Sequence, residues 1–376
     1  MSGSAGGTAR GSAGGAAGGS AGGAAALVAV GVAPTGGGGR VALHGWDGGS
    51  TLSGSVADVA VDAPTWLSWS ADGDLLVVAS EVDRGRLVTL ELVAAPGAAP
   101  RLRRVADVAT GGSHPCHFAP TGDGAHVVVA NYGDGVVSLL AAEDGVPTTL
   151  LDTVRLTGSG PVADRQEGSH PHHVAPVGDD VVSVVDLGAD QVRTFEVSGG
   201  RLRQVATTDL PAGSGPRHLV RSASSSAAFL TCELSGEVVR LVEEARGRFT
   251  VVASAAASSR PGHDDVAHVA LDEARGLLHV SNRGPDTVST FDVTGDGLHL
   301  VGEVDVPAHP RQFALAGGHL LVGGLQGGAV SVHRVAADGR PGPGVGTPVE
   351  APACVAVHPG RQGTGTDGER FRPSAG

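Results

Sequence analysis

Pro115-Cys-His-Phe-Ala-Pro-Thr-Gly-Asp-Gly-Ala-His-Val-Val-Val-Ala-Asn131 is the stretch on which the fold turns. It reads as a strand, an Asp123-Gly124 turn and a second strand that ends on Asn. Glycine accepts the positive φ that a tight hairpin demands, so the dipeptide is a turn with no catalytic content. Similar copies start near Pro64, Pro171, Pro216, Pro261, Pro310 and Pro352, with successive gaps of 51, 56, 45, 45, 49 and 42 residues. Repeats of about 40–50 residues with several strands each mark a β-propeller. Seven anchors predict an all-β, seven-bladed β-propeller of four-stranded antiparallel blades. Too little chain follows Pro352 to complete a blade, so Leu27–Val32 is expected to supply a strand and close the ring. Two copies are degraded: the turn after Pro216 is Ser-rich, and the one after Pro310 is reduced to Gly317-Gly318.

Outward from this repeat, the apolar runs are short, rich in Val and Leu, and bounded by Gly, Asp, Pro and Ser. Leu75–Ala79, Val127–Ala130, Val181–Val185 and Leu277–Val280 are apolar on consecutive positions, which suits strands buried on both sheet faces. Residues 1–26 are almost purely Gly, Ala and Ser and are expected to be a disordered tail. The propeller should occupy residues 27–360, with a loose tail over 361–376. A formal G-x-S-x-G match at Gly18–Gly22 lacks the flanking strand and helix of a nucleophile elbow.

Composition excludes several functions. The formal net charge of −13 lacks the basic footprint of a nucleic-acid or anionic-membrane surface. The 376 residues contain no Lys, which removes a Walker-type phosphate loop, a Schiff-base enzyme and a lysine base. No apolar run reaches a membrane span, and a cytoplasmic protein is expected. Cys116, Cys232 and Cys354 are too far apart for a zinc motif and are expected to be buried hydrophobes. Asp264-Asp265 near His263 matches no metal-ligand spacing, and no metal or cofactor is expected.

In each repeat the start of the first strand and the end of the second should share one rim. Strand starts carry His114, His117, His170, His172, Arg217, His218 and Arg311. Strand ends carry Glu81, Asn131, Asp186, Glu233 and Arg283. All should converge on one mouth of the central channel. The only Tyr, Tyr132, and both Asn residues, Asn131 and Asn282, fall at strand ends of this type. Bland readings compete: Glu233 with Arg217 as a structural ion pair, Arg283 paired with Asp286, Asn131 as a turn former, and Trp66 and Trp69 packed between blades.

Four phrases in this order carry a family resemblance: His170-Pro-His172, Gly215-Pro-Arg217-His218, Cys232-Glu233-Leu234 and Ser281-Asn-Arg283-Gly284. Arg165-Gln-Glu-Gly-Ser-His170 and Val129-Ala-Asn-Tyr-Gly133 add to it. Together they resemble the seven-bladed lactonase family, which includes propeller-type 6-phosphogluconolactonases and is similar to fungal carboxymuconate lactonizing enzymes. The resemblance spans about Leu27 to Pro359. It implies an active-site His at His170 or His172, two Arg at Arg217 and Arg283, and a Glu at Glu233. Cys232 stands where many members have Asn.

Such residues suit lactone hydrolysis. An imidazole near neutral pH can activate water, and His170 and His172, alternating along a strand, should point the same way. Glu233 could orient an imidazole or hold an arginine. Arg217 and Arg283 could stabilise an oxyanion, and with Arg311 could grip a phosphate or carboxylate. His114, Asn131, Asp186 and Arg311 are expected to bind substrate. The expected partner is a small anionic lactone, most plausibly 6-phosphogluconolactone, handled by a monomer. A non-enzymatic binding propeller and a muconate-type cycloisomerase remain open alternatives on sequence alone.

Overall fold

The computed structural model describes residues 26–95, 97–261 and 265–360. Both tails, the Gly18–Gly22 match and the His263-Asp264 pair lie outside these, except that Ala26 already opens the first strand. Twenty-eight strands, β1 to β28, form seven four-stranded antiparallel sheets among the described residues. One 3₁₀ turn, Tyr132–Asp134, interrupts them. Among the described residues no helix is long and apolar enough to cross a membrane.

The innermost strands of the blades are β4 (Pro64–Trp69), β8 (Pro115–Pro120), β12 (Pro171–Pro176), β16 (Pro216–Arg221), β20 (Val266–Asp272), β24 (Pro310–Ala316) and β28 (Pro352–Val357). Six begin on Pro, which has no N–H to give a ladder and is tolerated at a strand's first residue. The fifth begins on Val266, so the anchor at Pro261 is corrected: this Pro precedes its strand by five residues. Apolar residues at the fourth position of each inner strand (Leu67, Phe118, Val174, Leu219, Val269, Phe313 and Val355) are buried in the clusters that join blades.

The ring closes as the sequence predicts. β1 (Ala26–Val32) pairs antiparallel with β28, and β2 (Arg40–Trp46) and β3 (Ser55–Ala60) complete that sheet. A Cβ on Gly31 of β1 would come within 2.2 Å of the Pro64 carbonyl oxygen, so this closure needs a glycine. The hairpin at Gly317-Gly318 has φ of 54° and 74°, a turn only glycine makes without strain.

Register places the functional rim. The first residue of each inner strand faces the last of the second: Pro115 pairs with Asn131, Pro171 with Asp186, Pro216 with Cys232 and Val266 with Asn282. A register shift follows that first residue in β4, β8, β12, β16, β20 and β24. Such a bulge breaks the alternation of side chains, so two successive residues can face the axis.

Candidate active site

Glu233 follows the second strand of the fourth blade, β17 (Ala227–Cys232), and is 1% exposed. Its amide donates to the Gly215 carbonyl, fixing it beside the start of β16. Three guanidinium groups converge on it. Arg165 Nη2 donates to Oε1 at 2.5 Å, and Arg217 Nη1 donates to Oε2 at 2.5 Å. Arg283 Nη2 lies 2.9 Å from Oε2 as an ion pair, without the alignment of a hydrogen bond. Arg217 Nη1 also lies 2.6 Å from His172 Nε2, which therefore accepts. Three cations around one buried carboxylate leave an excess of positive charge.

Electrostatics follow from this packing. Burial alone would raise the Glu233 carboxyl, but Arg217, Arg283, His172 and Arg165 hold it well below the usual carboxylate range. Burial and the neighbouring Arg217 push His172 well below its ordinary value, so it stays neutral. Burial, opposed by Glu233 and reinforced by Arg283 and Arg311, brings Arg217 down to about 10. Two buried donors here, Arg217 Nε and Arg283 Nη2, have no hydrogen-bond acceptor among the described residues. Unanswered N–H groups of this kind are costly unless a ligand oxygen meets them.

His170 takes other partners. It precedes β12 rather than lying on it, and its ring stacks on Tyr132 with centroids 4.4 Å apart. Nδ1 is 2.7 Å from the Tyr132 carbonyl oxygen and must donate to it, and Nε2 is 3.0 Å from Glu167 Oε1. The expected alternation of His170 with His172 is corrected by the bulge. His172 and His173 are the pair that reaches the axis, both in ring contact with His218 at 5.4 and 4.6 Å.

The remaining expected residues divide. Arg311 lies at the same mouth but takes Glu81 as partner at 3.0 Å. Asp186 is fully buried and holds the loop before β12, accepting from the His170 amide at 2.9 Å and from Ser169. Asn131 is fully buried and bonds Thr110, Val136 and Ser138. These two brace their surroundings through those bonds. His114 is a partly exposed rim residue beside Ser113 and Asp83. Arg283 does not pair with Asp286: its Nε donates to the Asp265 carbonyl at 2.9 Å, while Asp286 accepts from the His309 amide. Trp69 packs between blades, donating to the Ala356 carbonyl, but Trp66 faces the channel, 4.2 Å from the His117 ring.

Sequence reasoning missed Arg165 as a site residue, although the Arg165–His170 phrase contained it. It also missed the brace that sets it. Gln166, fully buried, donates to the Leu187 carbonyl and to Asp190 Oδ1 at 2.8 Å. Asp190 in turn accepts from Gly213, Ser214 and Gly215, at 2.7, 3.1 and 2.8 Å. One carboxylate thus ties the loop carrying Arg165 to the strand carrying Arg217.

Below the charged mouth lies a layer of rings. His117, His173, His218 and His268 come from four successive blades, with neighbouring centroids 3.9, 4.6 and 5.2 Å apart. His218 Nδ1 and His268 Nδ1 are 2.9 Å apart, so one donates to the other. No group of three or more His, Cys, Asp or Glu among the described residues is placed to hold a metal ion. Beneath the layer the channel opens into a cavity of about 290 Å³ lined by residues such as Trp69, Leu219 and Leu271. None of the residues gathered on Glu233 lines it.

The sequence profile described as "Lactonase, 7-bladed beta-propeller" matches residues 28–358. The chain belongs to that family. Its reaction class is lactone hydrolysis. The crystal structure of the periplasmic gluconolactonase of Pseudomonas aeruginosa is similar, with 26% identity and a TM-score of 0.81, covering 89% of this chain and 99% of that one. A Bacillus subtilis 6-phosphogluconolactonase is 29% identical over 210 residues, which cover 54% of this lactonase and 60% of the relative. An uncharacterized Lactococcus lactis protein is 28% identical over 261 residues, covering 68% and 75%.

Proposed function

We propose that this lactonase hydrolyses an anionic sugar-acid lactone, with 6-phosphogluconolactone as its substrate and 6-phosphogluconate as its product. The observation that carries the reading is the convergence of Arg165, Arg217 and Arg283 on the single carboxylate of Glu233, with Arg217 Nε left without an acceptor. Such a site selects an anion even on an acidic protein. The names of the Bacillus and Pseudomonas relatives support a sugar-acid lactone. A phosphorylated substrate, which does not cross membranes, would place the enzyme in the cytoplasm.

His170 is the better base. Nδ1–H is held by the Tyr132 carbonyl, and Nε2 offers a lone pair once it no longer donates to Glu167 Oε1, whose side chain is 61% exposed and able to turn away. His172 already spends its Nε2 lone pair on Arg217 and serves to position that guanidinium. Water loses a proton to His170 as its oxygen bonds the lactone carbonyl. Arg217 and Arg283 stabilise the oxyanion. Collapse breaks the ring C–O bond, and the imidazolium returns the proton to the departing alkoxide. General-base catalysis of this kind supplies about 10²–10⁴-fold.

The test is hydrolysis of freshly generated 6-phosphogluconolactone by wild type, His170→Ala, His172→Ala and Arg217→Ala. Acceleration over the spontaneous rate that is lost in these variants supports the reading. No acceleration by a folded wild-type enzyme rejects this substrate.

A further inference from the structure

Arg165 differs from the other two arginines on Glu233. Arg217 and Arg283 have side chains 4% and 11% exposed and are set into blade elements. The Arg165 side chain is 35% exposed and projects from the loop between β11 (Val146–Arg155) and β12. It reaches across from the third blade's entry loop to the fourth blade's Glu233, and its guanidinium also bonds the Tyr132 side chain. Its backbone is fixed, and its side chain, the most exposed of the three, is held by Glu233 and Tyr132. The Arg165 and Gln166 amides both donate to the Val162 carbonyl, and Gln166 is clamped by Leu187 and Asp190. Arg217, by contrast, is locked between His172 and Glu233.

We infer that Arg165 is the residue that reads the charge at the distal end of the substrate, leaving Glu233 to take a phosphate while Arg217 and Arg283 stay at the lactone carbonyl. This rests on the lactonase reading above and adds the basis of its preference for an anion. Three features support it. Oε2 of Glu233 keeps Arg217 and Arg283 when Oε1 loses Arg165, so the carboxylate remains neutralised. The departing guanidinium is planar and bidentate, the geometry a phosphate fits. Its position at the open side of the cluster is where a substrate tail would leave the buried carbonyl end.

The experiment compares 6-phosphogluconolactone with uncharged glucono-δ-lactone. Replacing Arg165 by Met keeps much of the length and removes the charge. The ratio of kcat/KM for the phosphorylated over the uncharged lactone should fall about 10–100-fold, with the loss in KM. Arg165→Lys should recover part of it. Arg217→Met, acting at the carbonyl, should lower both substrates in parallel. A ratio unchanged within about twofold in Arg165→Met overturns the inference, as does a wild-type enzyme with no preference for the phosphorylated lactone. If wild type hydrolyses neither lactone, the lactonase reading itself fails. The Arg165 assignment is then decided by calorimetry with 6-phosphogluconate and gluconate. Loss of discrimination in Arg165→Met supports it, and equal discrimination rejects it.

Discussion

Glu233→Gln tests the electrostatic logic of the site most directly. The substitution preserves shape, so no cavity term enters. It replaces one carboxylate oxygen by an NH2 group that faces guanidinium N–H groups, and it leaves Arg165, Arg217 and Arg283 without a countercharge. Removing one partner of a buried ion pair costs about 3–5 kcal/mol, because the remaining charge stays desolvated. Unfolding entropy near 2.1 cal/mol/K per residue, over roughly 330 ordered residues, is about 0.7 kcal/mol/K. The melting temperature should therefore drop by about 4–7 °C. A second effect separates this from generic damage. The unneutralised guanidinium cluster should become an anion site, so inorganic phosphate should restore stability, by about 2.7 kcal/mol at a hundred times its dissociation constant. The assay is thermal unfolding of both proteins in phosphate and in chloride at matched ionic strength. A variant that melts with wild type, or one that phosphate stabilises no more than wild type, would refute the view that Glu233 is the countercharge of this cluster.

Acid should destabilise the fold well above the carboxylate range. Burial brings His279 from 6.5 to about 4, so its contribution is complete above pH 6.5 and is lost as pH falls toward 4. At about 1.4 kcal/mol per unit, the whole loss is on the order of 3 kcal/mol. His172 and His218, also lowered by burial, act in the same direction, and Glu233 adds a further loss below 4.5. A urea midpoint that stays level between about pH 7.5 and 5 would contradict these buried neutral imidazoles. His170→Ala should lower kcat by about 10²–10⁴-fold, whereas His172→Gln, which can still accept from Arg217, should retain most of the activity. A larger loss in His172→Gln than in His170→Ala would reverse their roles. Asp190→Ala removes four hydrogen bonds between the Arg165 loop and the turn before β16, and should cost about 2–4 kcal/mol in chemical denaturation. Gly31→Ala, forced against the Pro64 carbonyl, should destabilise ring closure by about 1–3 kcal/mol, read as earlier hydrogen exchange in β1 and β28. Unaltered protection there would mean that the closing strands yield easily.

Legibility in the sequence follows the range of the forces involved. Proline at a strand's first residue and Asp-Gly at its hairpin are local constraints, so blade number and ring closure could be read from them. The one misplaced anchor, Pro261, failed because a strand's first position tolerates proline without requiring it, and Val266 serves there as well. Glu233, Arg217, Arg283 and His172 were legible because antiparallel pairing brings strand starts and strand ends to one rim. Asn131 and Asp186 occupy the same rim, yet their side chains answer nearby backbone groups and hydroxyls. Residue type at a strand end does not distinguish a brace from a ligand contact; the local supply of unpaired N–H groups does. Arg165 was invisible for a different reason: its reach depends on the path of a long loop, which no periodicity encodes. The histidine layer was missed because strict alternation was assumed where the strands bulge. The bulge has a functional consequence. By letting consecutive residues face the axis, it sets His172 and Arg217 at the charged mouth and His173 and His218 in the layer beneath. A propeller blade without that irregularity would have to choose between a filled channel and a charged mouth.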